Sequence, residues 1–147
     1  MRKLIVAVGV SLLFLATEVL VARLMEPDAP TTAGAVREAG VEVLAHAVVQ
    51  GMKFRIEFPQ KIDDTTYLEN IRAEHNEIVY QLSTNKYGEE FDRMMATLHD
   101  NAQESGCSRD DYRKLLAYGL AIIIDYRAAN GKMATPIVIT PQMCGAN

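Results

Sequence analysis

Leu4 to Ala22 is a 19-residue run whose apolar character is broken only by Ser11, Thr17 and Glu18, and Arg2 and Lys3 stand in front of it. No other feature so restricts what the chain can become. A basic start followed by such a run is an export signal or a membrane anchor, so the rest of the chain is expected outside the cytoplasm. As a helix the run would be about 28 Å long, close to the hydrocarbon thickness of a bilayer. Leu4 to Ala16 also fits the apolar region of a cleaved signal. Leu20-Val21-Ala22 has a large residue where a cleavage site wants a small one, and Ala33-Gly34-Ala35 has the right form but lies well past the run. Glu18 would cost up to about 3 kcal/mol at a bilayer centre and less near the outer end, where it falls. Retained anchor and cleaved signal therefore both stay open. Arg2 and Lys3 on the inside would orient the remainder outward, with Arg23 weakening the bias.

The expected organisation is a signal peptide or signal anchor over residues 1–25, a linker over 26–34 and one extracytoplasmic domain over 35–147. Pro27-Asp28-Ala29-Pro30-Thr31-Thr32 marks the linker, and the residues beyond it suffice for a single core. Without residues 1–22, 13 basic residues face 18 acidic ones, a net charge of −5, and the charges are dispersed. Such a surface offers nothing to nucleic acid. The chain has two cysteines, Cys107 and Cys144. In an oxidising compartment an even count predicts a bond between them, and without a C-x-x-C spacing a redox pair is not expected.

The periodicities predict an α+β domain. Val36, Ala39, Gly40, Val43, Leu44, Ala47 and Val48 form an apolar stripe on a helix over 35–51. Lys53 to Phe58 alternates and reads as a short strand or an extended run into Pro59. Strands are expected over 67–73 and 77–82, joined at His75-Asn76 as a hairpin, with Tyr67, Ile71, Ile78, Tyr80 and Leu82 supplying much of its apolar surface. Phe91, Met94, Met95, Leu98 and Ala102 mark a helix over 88–104 that Ser105-Gly106 should end. Ser108-Arg109-Asp110-Asp111 resembles a capping box opening a helix that carries Tyr112, Leu115 and Leu116 inward and stops at Gly119. Leu120 to Tyr126 reads as a central strand, Asn130-Gly131 as a turn, and Pro136 to Thr140 as the partner strand. The plan is α-(β)-ββ-αα-ββ, an antiparallel sheet of about four strands with helices on one face.

One resemblance is carried by order and spacing. Pro59, Asp63, Thr66 and Leu68 are followed by Ile78-Val79-Tyr80, Cys107, Leu115-Leu116, Gly119, Asp125-Tyr126, Asn130-Gly131, Ile137-Val138-Ile139-Thr140 and Cys144. This succession, over residues 58–144, resembles small exported bacterial domains, most of them without an assigned activity. More distantly the plan is similar to pilotins, accessory proteins of outer-membrane secretion pores. Pilotins are typically lipoproteins, and here no lipid-accepting cysteine follows the apolar run. The resemblance implies no active site.

The search for chemistry is correspondingly empty. His46 sits at the edge of the first helix's stripe, where a packing role is expected; His75 adjoins the hairpin turn and His99 follows Leu98. None has a second ligand at i+4, so no metal is expected. Asp63-Asp64-Thr65-Thr66 reads as turn chemistry, and Glu89, Glu90 and Asp92 as a solvated helix start. The serines have no histidine at an informative spacing, and no phosphate loop or dinucleotide fingerprint occurs. No catalytic residue and no cofactor are expected. Tyr67, Tyr80, Tyr112 and Tyr126 are the candidate interface, because tyrosine is enriched in contact surfaces. The favoured expectation is a non-enzymatic envelope protein that binds another envelope protein, touching the membrane through residues 4–22 if these are retained. The alternative is an inhibitor or immunity-type protein that neutralises an extracytoplasmic enzyme or toxin.

Overall fold

A computed structural model describes residues 33–145, with side chains from residue 40 onward. The apolar run and most of the linker lie outside the described residues, as do the side chains of Val36 and Ala39. Helix α1 (Ala33–Arg55) leads into strands β1 (Gln60–Lys61), β2 (Thr66–Glu74) and β3 (Glu77–Thr84). Helices α2 (Gly88–Ser108) and α3 (Asp110–Ala117) follow, then β4 (Ala121–Arg127), β5 (Ile137–Ile139) and a 3-10 turn at Gln142–Cys144. The α+β class and the element order are as expected. The sheet has five strands in the order β1-β2-β3-β4-β5.

One ladder differs from the expected antiparallel sheet: β3 and β4 run parallel, and the other three pairs are antiparallel. The cause is the connection. A parallel neighbour requires a crossover long enough to carry the chain back, and α2 with α3 supplies it. Continuous apolar character suits β4, which is flanked by β3 and β5 and carries Ile122, Ile123 and Ile124.

Register assigns the two sheet faces. Ile78 pairs with Ile122, Tyr80 with Ile124 and Leu82 with Tyr126, while Ile122 and Ile124 pair with Ile139 and Ile137. These residues, with Leu68 and Ile71, pack against Val41, Leu44, Ala45, Val48 and Val49 of α1, Phe91 and Met95 of α2, and Leu115 and Leu116 of α3. Each fully buried Ile or Leu contributes about 1.5–3 kcal/mol relative to exposure. All three helices thus cover one face.

In β2 the register shifts between Leu68 and Asn70. A bulge adds one residue and so reverses the alternation beyond it. Leu68 and Ile71, three apart, both point into the core, and Tyr67 is turned to the other face.

Helix α1 extends beyond the expected Gly51 to Arg55, so Lys53 to Arg55 is not extended and β1 begins after Pro59. Its buried stripe is also rotated. Val41, Leu44, Ala45, Val48 and Val49 face inward, while Val43 and Ala47 are exposed. His46 is exposed with them and does not pack.

Helix α2 passes through Ser105-Gly106 and ends at Ser108. Gly106 lies within the helix and β5 packs against it: a Cβ there would sit 2.4 Å from Ile139 Cδ1, so the position has room for glycine alone. One stripe of α2 holds the C-terminal segment. Asp92 meets Lys132 (2.6 Å), His99 Nε2 meets the Thr135 carbonyl (3.0 Å), and Gln103 donates to the Met143 carbonyl (2.9 Å). Cys107 completes the stripe through a disulfide to Cys144, with Cα atoms 5.3 Å apart. Ser108 does not cap α3; its hydroxyl donates to the Ser105 carbonyl, and Arg109 occupies the cap position. At the other end Gly119 has φ +86°, Gly119 N–H bonds the Leu116 carbonyl and Leu120 N–H the Leu115 carbonyl. This is the Schellman closure that glycine favours.

Candidate functional site

Three regions carry chemistry-bearing side chains, the first of them mostly buried, with Tyr112 in the core, Tyr80, Tyr126 and Met52 half-buried against it and Arg109 exposed. The first lies on the helix-covered face, where α1 ends, α3 begins and the far halves of β3 and β4 run out. Tyr80 and Tyr112 stand with ring centroids 6.0 Å apart and planes tilted by 39°. The Tyr80 hydroxyl contacts Met52 Sδ at 3.9 Å. Arg109 lies over the Tyr112 ring, 4.3 Å from its centroid, and holds Asp111 with two bonds of 3.1 and 2.7 Å. Arg109 and Tyr112 are three residues apart, a spacing that puts them on one side of the helix start.

The electrostatics follow from burial. Desolvation pushes the Tyr80 phenol far above its ordinary value, with Tyr112 and Asp111 adding to the rise. Burial also raises the Tyr112 and Tyr126 phenols; at Tyr126 the neighbouring Tyr112 and Asp63 add to it. Burial opposes ionisation of Asp111, but the Arg109 bonds outweigh it and hold the carboxyl below its usual range. The same bonds raise the Arg109 guanidinium. These phenols are therefore neutral packing and hydrogen-bonding groups. Each presents an apolar ring with a polar tip, a combination suited to contact with another protein.

The four candidate tyrosines do not form one patch. Tyr80, Tyr112 and Tyr126 converge, whereas Tyr67 pairs with Ser83 and looks out from the opposite face. Arg109 and Met52, which complete the cluster, are not among the residues that sequence reasoning singles out for it. The i,i+3 spacing of Arg109 and Tyr112 is the available signal, and in the sequence it is masked by the resemblance of Ser108 to Asp111 to a capping box.

The second region is the uncovered face of the sheet. Arg72 reaches from β2 across β3, with Nη1 3.2 Å from Glu74 and Nη2 3.6 Å from Asp125 of β4. Beneath it Val79 is only 1% exposed. Asn70 donates to Gln81 at 3.1 Å, and Ser83 donates to Glu69. Most of these polar groups satisfy one another, but the buried Arg72 Nε has no hydrogen-bond partner among the described residues.

The third region is a shallow depression beside the disulfide, lined by Asp100, Gln103, Glu104, Met143 and the two cysteines. Among the described residues no group of three or more His, Cys, Asp or Glu side chains is placed to hold a metal ion. Asp63 acts as turn chemistry predicts, accepting from the Thr65 N–H (2.7 Å) and hydroxyl (2.9 Å).

A five-stranded mixed sheet with three helices on one face, closed by a bond between α2 and the C-terminal turn, defines a class of small α+β domain. Several solved structures share the fold. A protein from Pseudomonas aeruginosa inferred to be secreted superposes with a TM-score of 0.61 at 16% identity, over 80% of this chain and 99% of that one. The pilotin EpsS of the Vibrio vulnificus type 2 secretion system gives 0.59 at 15% identity, over 74% and 94%. The type II secretion system pilotin AspS from Vibrio cholerae gives 0.60 at 19%, over 76% and 99%. No protein-family model and no curated protein matches the sequence. At these identities the likeness is one of fold.

Proposed function

We propose that this chain is a cell-envelope accessory protein that acts by binding another envelope protein and catalyses no reaction. The observation that carries the reading is the shared fold: two of the similar structures are secretion-system pilotins, and the chain matches nearly the whole of each. Two further features support it. Residues 4–22 read as an export signal or anchor, and the Cys107–Cys144 disulfide suits an oxidising compartment. The exposed edge of the cluster, Arg109 with the half-buried Tyr80, Tyr126 and Met52 over buried Tyr112, is the surface we assign to the partner, since aromatic rings, methionine and arginine are the side chains enriched in interface cores.

The test begins with the full-length chain in a bacterial envelope. Intact mass after thiol alkylation without reduction should show no free thiol, and fractionation should recover the chain outside the cytoplasm. Photo-cross-linking from the exposed position 109 should then give one discrete adduct, absent when the cross-linker is placed at Glu42 on the far side of α1. Two alkylatable thiols in the recovered protein would overturn the address, and adducts equally abundant from both positions would overturn the surface.

A further inference from the structure

The disulfide lies at the edge of the fold rather than in its core. Cys107 and Cys144 are both half-buried, and the open depression beside them leaves the bond within reach of a small thiol. Asp100, Gln103, Glu104 and Cys107 fall at i, i+3, i+4 and i+7 of α2, a spacing that sets them on one face. Two carboxylates therefore flank the approach to the sulfurs. Both are exposed, and neither makes an ion pair among the described residues. No lysine or arginine lines the depression to offset them. Arg109, two residues beyond Cys107, is committed to Asp111 and the Tyr112 ring. The turn that carries Cys144 has no charged side chain. Cys107 also sits in the last turn of α2, where the macrodipole presents its negative end.

Reduction of a disulfide begins with an anion. A thiolate bonds to one cysteine sulfur, the S–S bond breaks, and the other sulfur leaves as a thiolate that takes a proton from water. A second thiol then displaces the first as a small disulfide, so two thiols are oxidised and both cysteines are reduced. The charges that line this approach oppose the attack, and oppose it more when the thiol carries a further negative group. We propose that Asp100 and Glu104 gate the Cys107–Cys144 bond by charge, holding off anionic thiols and admitting cationic ones. The gate thereby decides which thiols can free the C-terminal turn from α2.

The experiment follows reduction of the oxidised full chain in mild detergent, read by mass after alkylation. Cysteamine, mercaptoethanol and mercaptoethanesulfonate serve as cationic, neutral and anionic probes at equal thiolate concentration. Each is also applied to the double variant Asp100→Asn with Glu104→Gln, which keeps both side-chain sizes. Comparison of the two proteins cancels differences in intrinsic thiol reactivity. At low salt the cysteamine-to-sulfonate rate ratio should be about tenfold higher for the natural sequence than for the variant, with the neutral thiol between them. At about 1 M salt, where the screening length is about 3 Å, that difference should vanish. Equal ratios in the two proteins at low salt would overturn the gate, as would a difference that persists at high salt. Failure of all three thiols to reduce the folded protein would overturn the access on which the gate depends.

Discussion

Replacing Gly106 by alanine tests the closest approach in the fold. Added to this backbone, a Cβ would lie 2.4 Å from Ile139 Cδ1, 3.0 Å from Cγ1 and 3.1 Å from Cγ2. Ile139 cannot easily yield, being 2% exposed and β-branched on β5. Overpacking of this kind costs about 1–3 kcal/mol, and the gain from removing a helical glycine offsets at most about 1 kcal/mol. Gly106→Ala should therefore destabilise the domain by about 1–2 kcal/mol. In a urea titration with the disulfide intact, the midpoint should fall by roughly half to one molar at unchanged slope. Ile139→Val removes the atom in closest conflict. Alone it should cost about 0.5–1.5 kcal/mol, but combined with Gly106→Ala much of that cost should vanish, because the new methyl fills the space. A midpoint for Gly106→Ala at or above that of the natural sequence would refute the reasoning. Strict additivity of the two substitutions would refute it equally.

Other outcomes rest on the remaining geometry. Cys144→Ser should cost roughly 4 kcal/mol by the loop-entropy argument for residues 37 apart, read as a lower denaturation midpoint. In hydrogen exchange the turn at Gln142–Cys144 should lose protection first, since only Gln103 would then hold it to α2. The raised Tyr80, Tyr112 and Tyr126 phenols are favoured neutral in the folded state. Their contribution is complete below about pH 10, the unfolded phenol value, and declines as pH rises above it. Ultraviolet titration should show these three ionising late or only with unfolding, so a single transition of all six tyrosines near pH 10 would contradict the burial. Arg109→Ala removes the ring contact and the Asp111 pair and should cost about 1 kcal/mol. Because the folded Asp111 carboxyl is held low, its contribution is present above the unfolded carboxylate range and lost as pH falls through it. The variant's stability should consequently vary less with pH in acid, which denaturation curves at several pH values would measure.

Much of this fold is legible where local chemistry decides the outcome. His75-Asn76 turns the β2–β3 hairpin, with His75 at φ +51°, and Gly119 ends α3 as its position foretells. Leu120 onward is apolar because β4 has neighbours on both edges. The misreadings arise where two segments must agree. The bulge after Leu68 exists because Leu68 and Ile71 both find core neighbours, and no local pattern in 66–74 announces it. Gly106 reads as a stop signal in isolation, yet it lies within α2, and glycine is needed there because Ile139, 33 positions later, occupies the space a side chain would need. The tyrosine cluster is of the same kind: Met52, Tyr80, Arg109, Tyr112 and Tyr126 come from four elements, and only Arg109 and Tyr112 are near neighbours in sequence.

Helix α1 shows most sharply how pattern can be correct and orientation still undetermined. Its sequence holds two apolar stripes, and the hydrophobic repeat is satisfied by either. The sheet chooses between them. Beneath α1 lie Leu68 and Ile71, large residues that pack best against Val41, Leu44, Val48 and Val49. The other stripe alternates Gly40, Ala47 and Gly51 with Val43 and Phe54, and its small residues would leave voids against the sheet. A void next to a core residue costs about 20 cal/mol for each Å² of its surface, so the rotated seating is favoured by packing rather than by hydrophobicity alone. Orientation thus depends on the distribution of side-chain volume, and Phe54 remains on the surface while Leu44, ten residues earlier on the same helix, is buried.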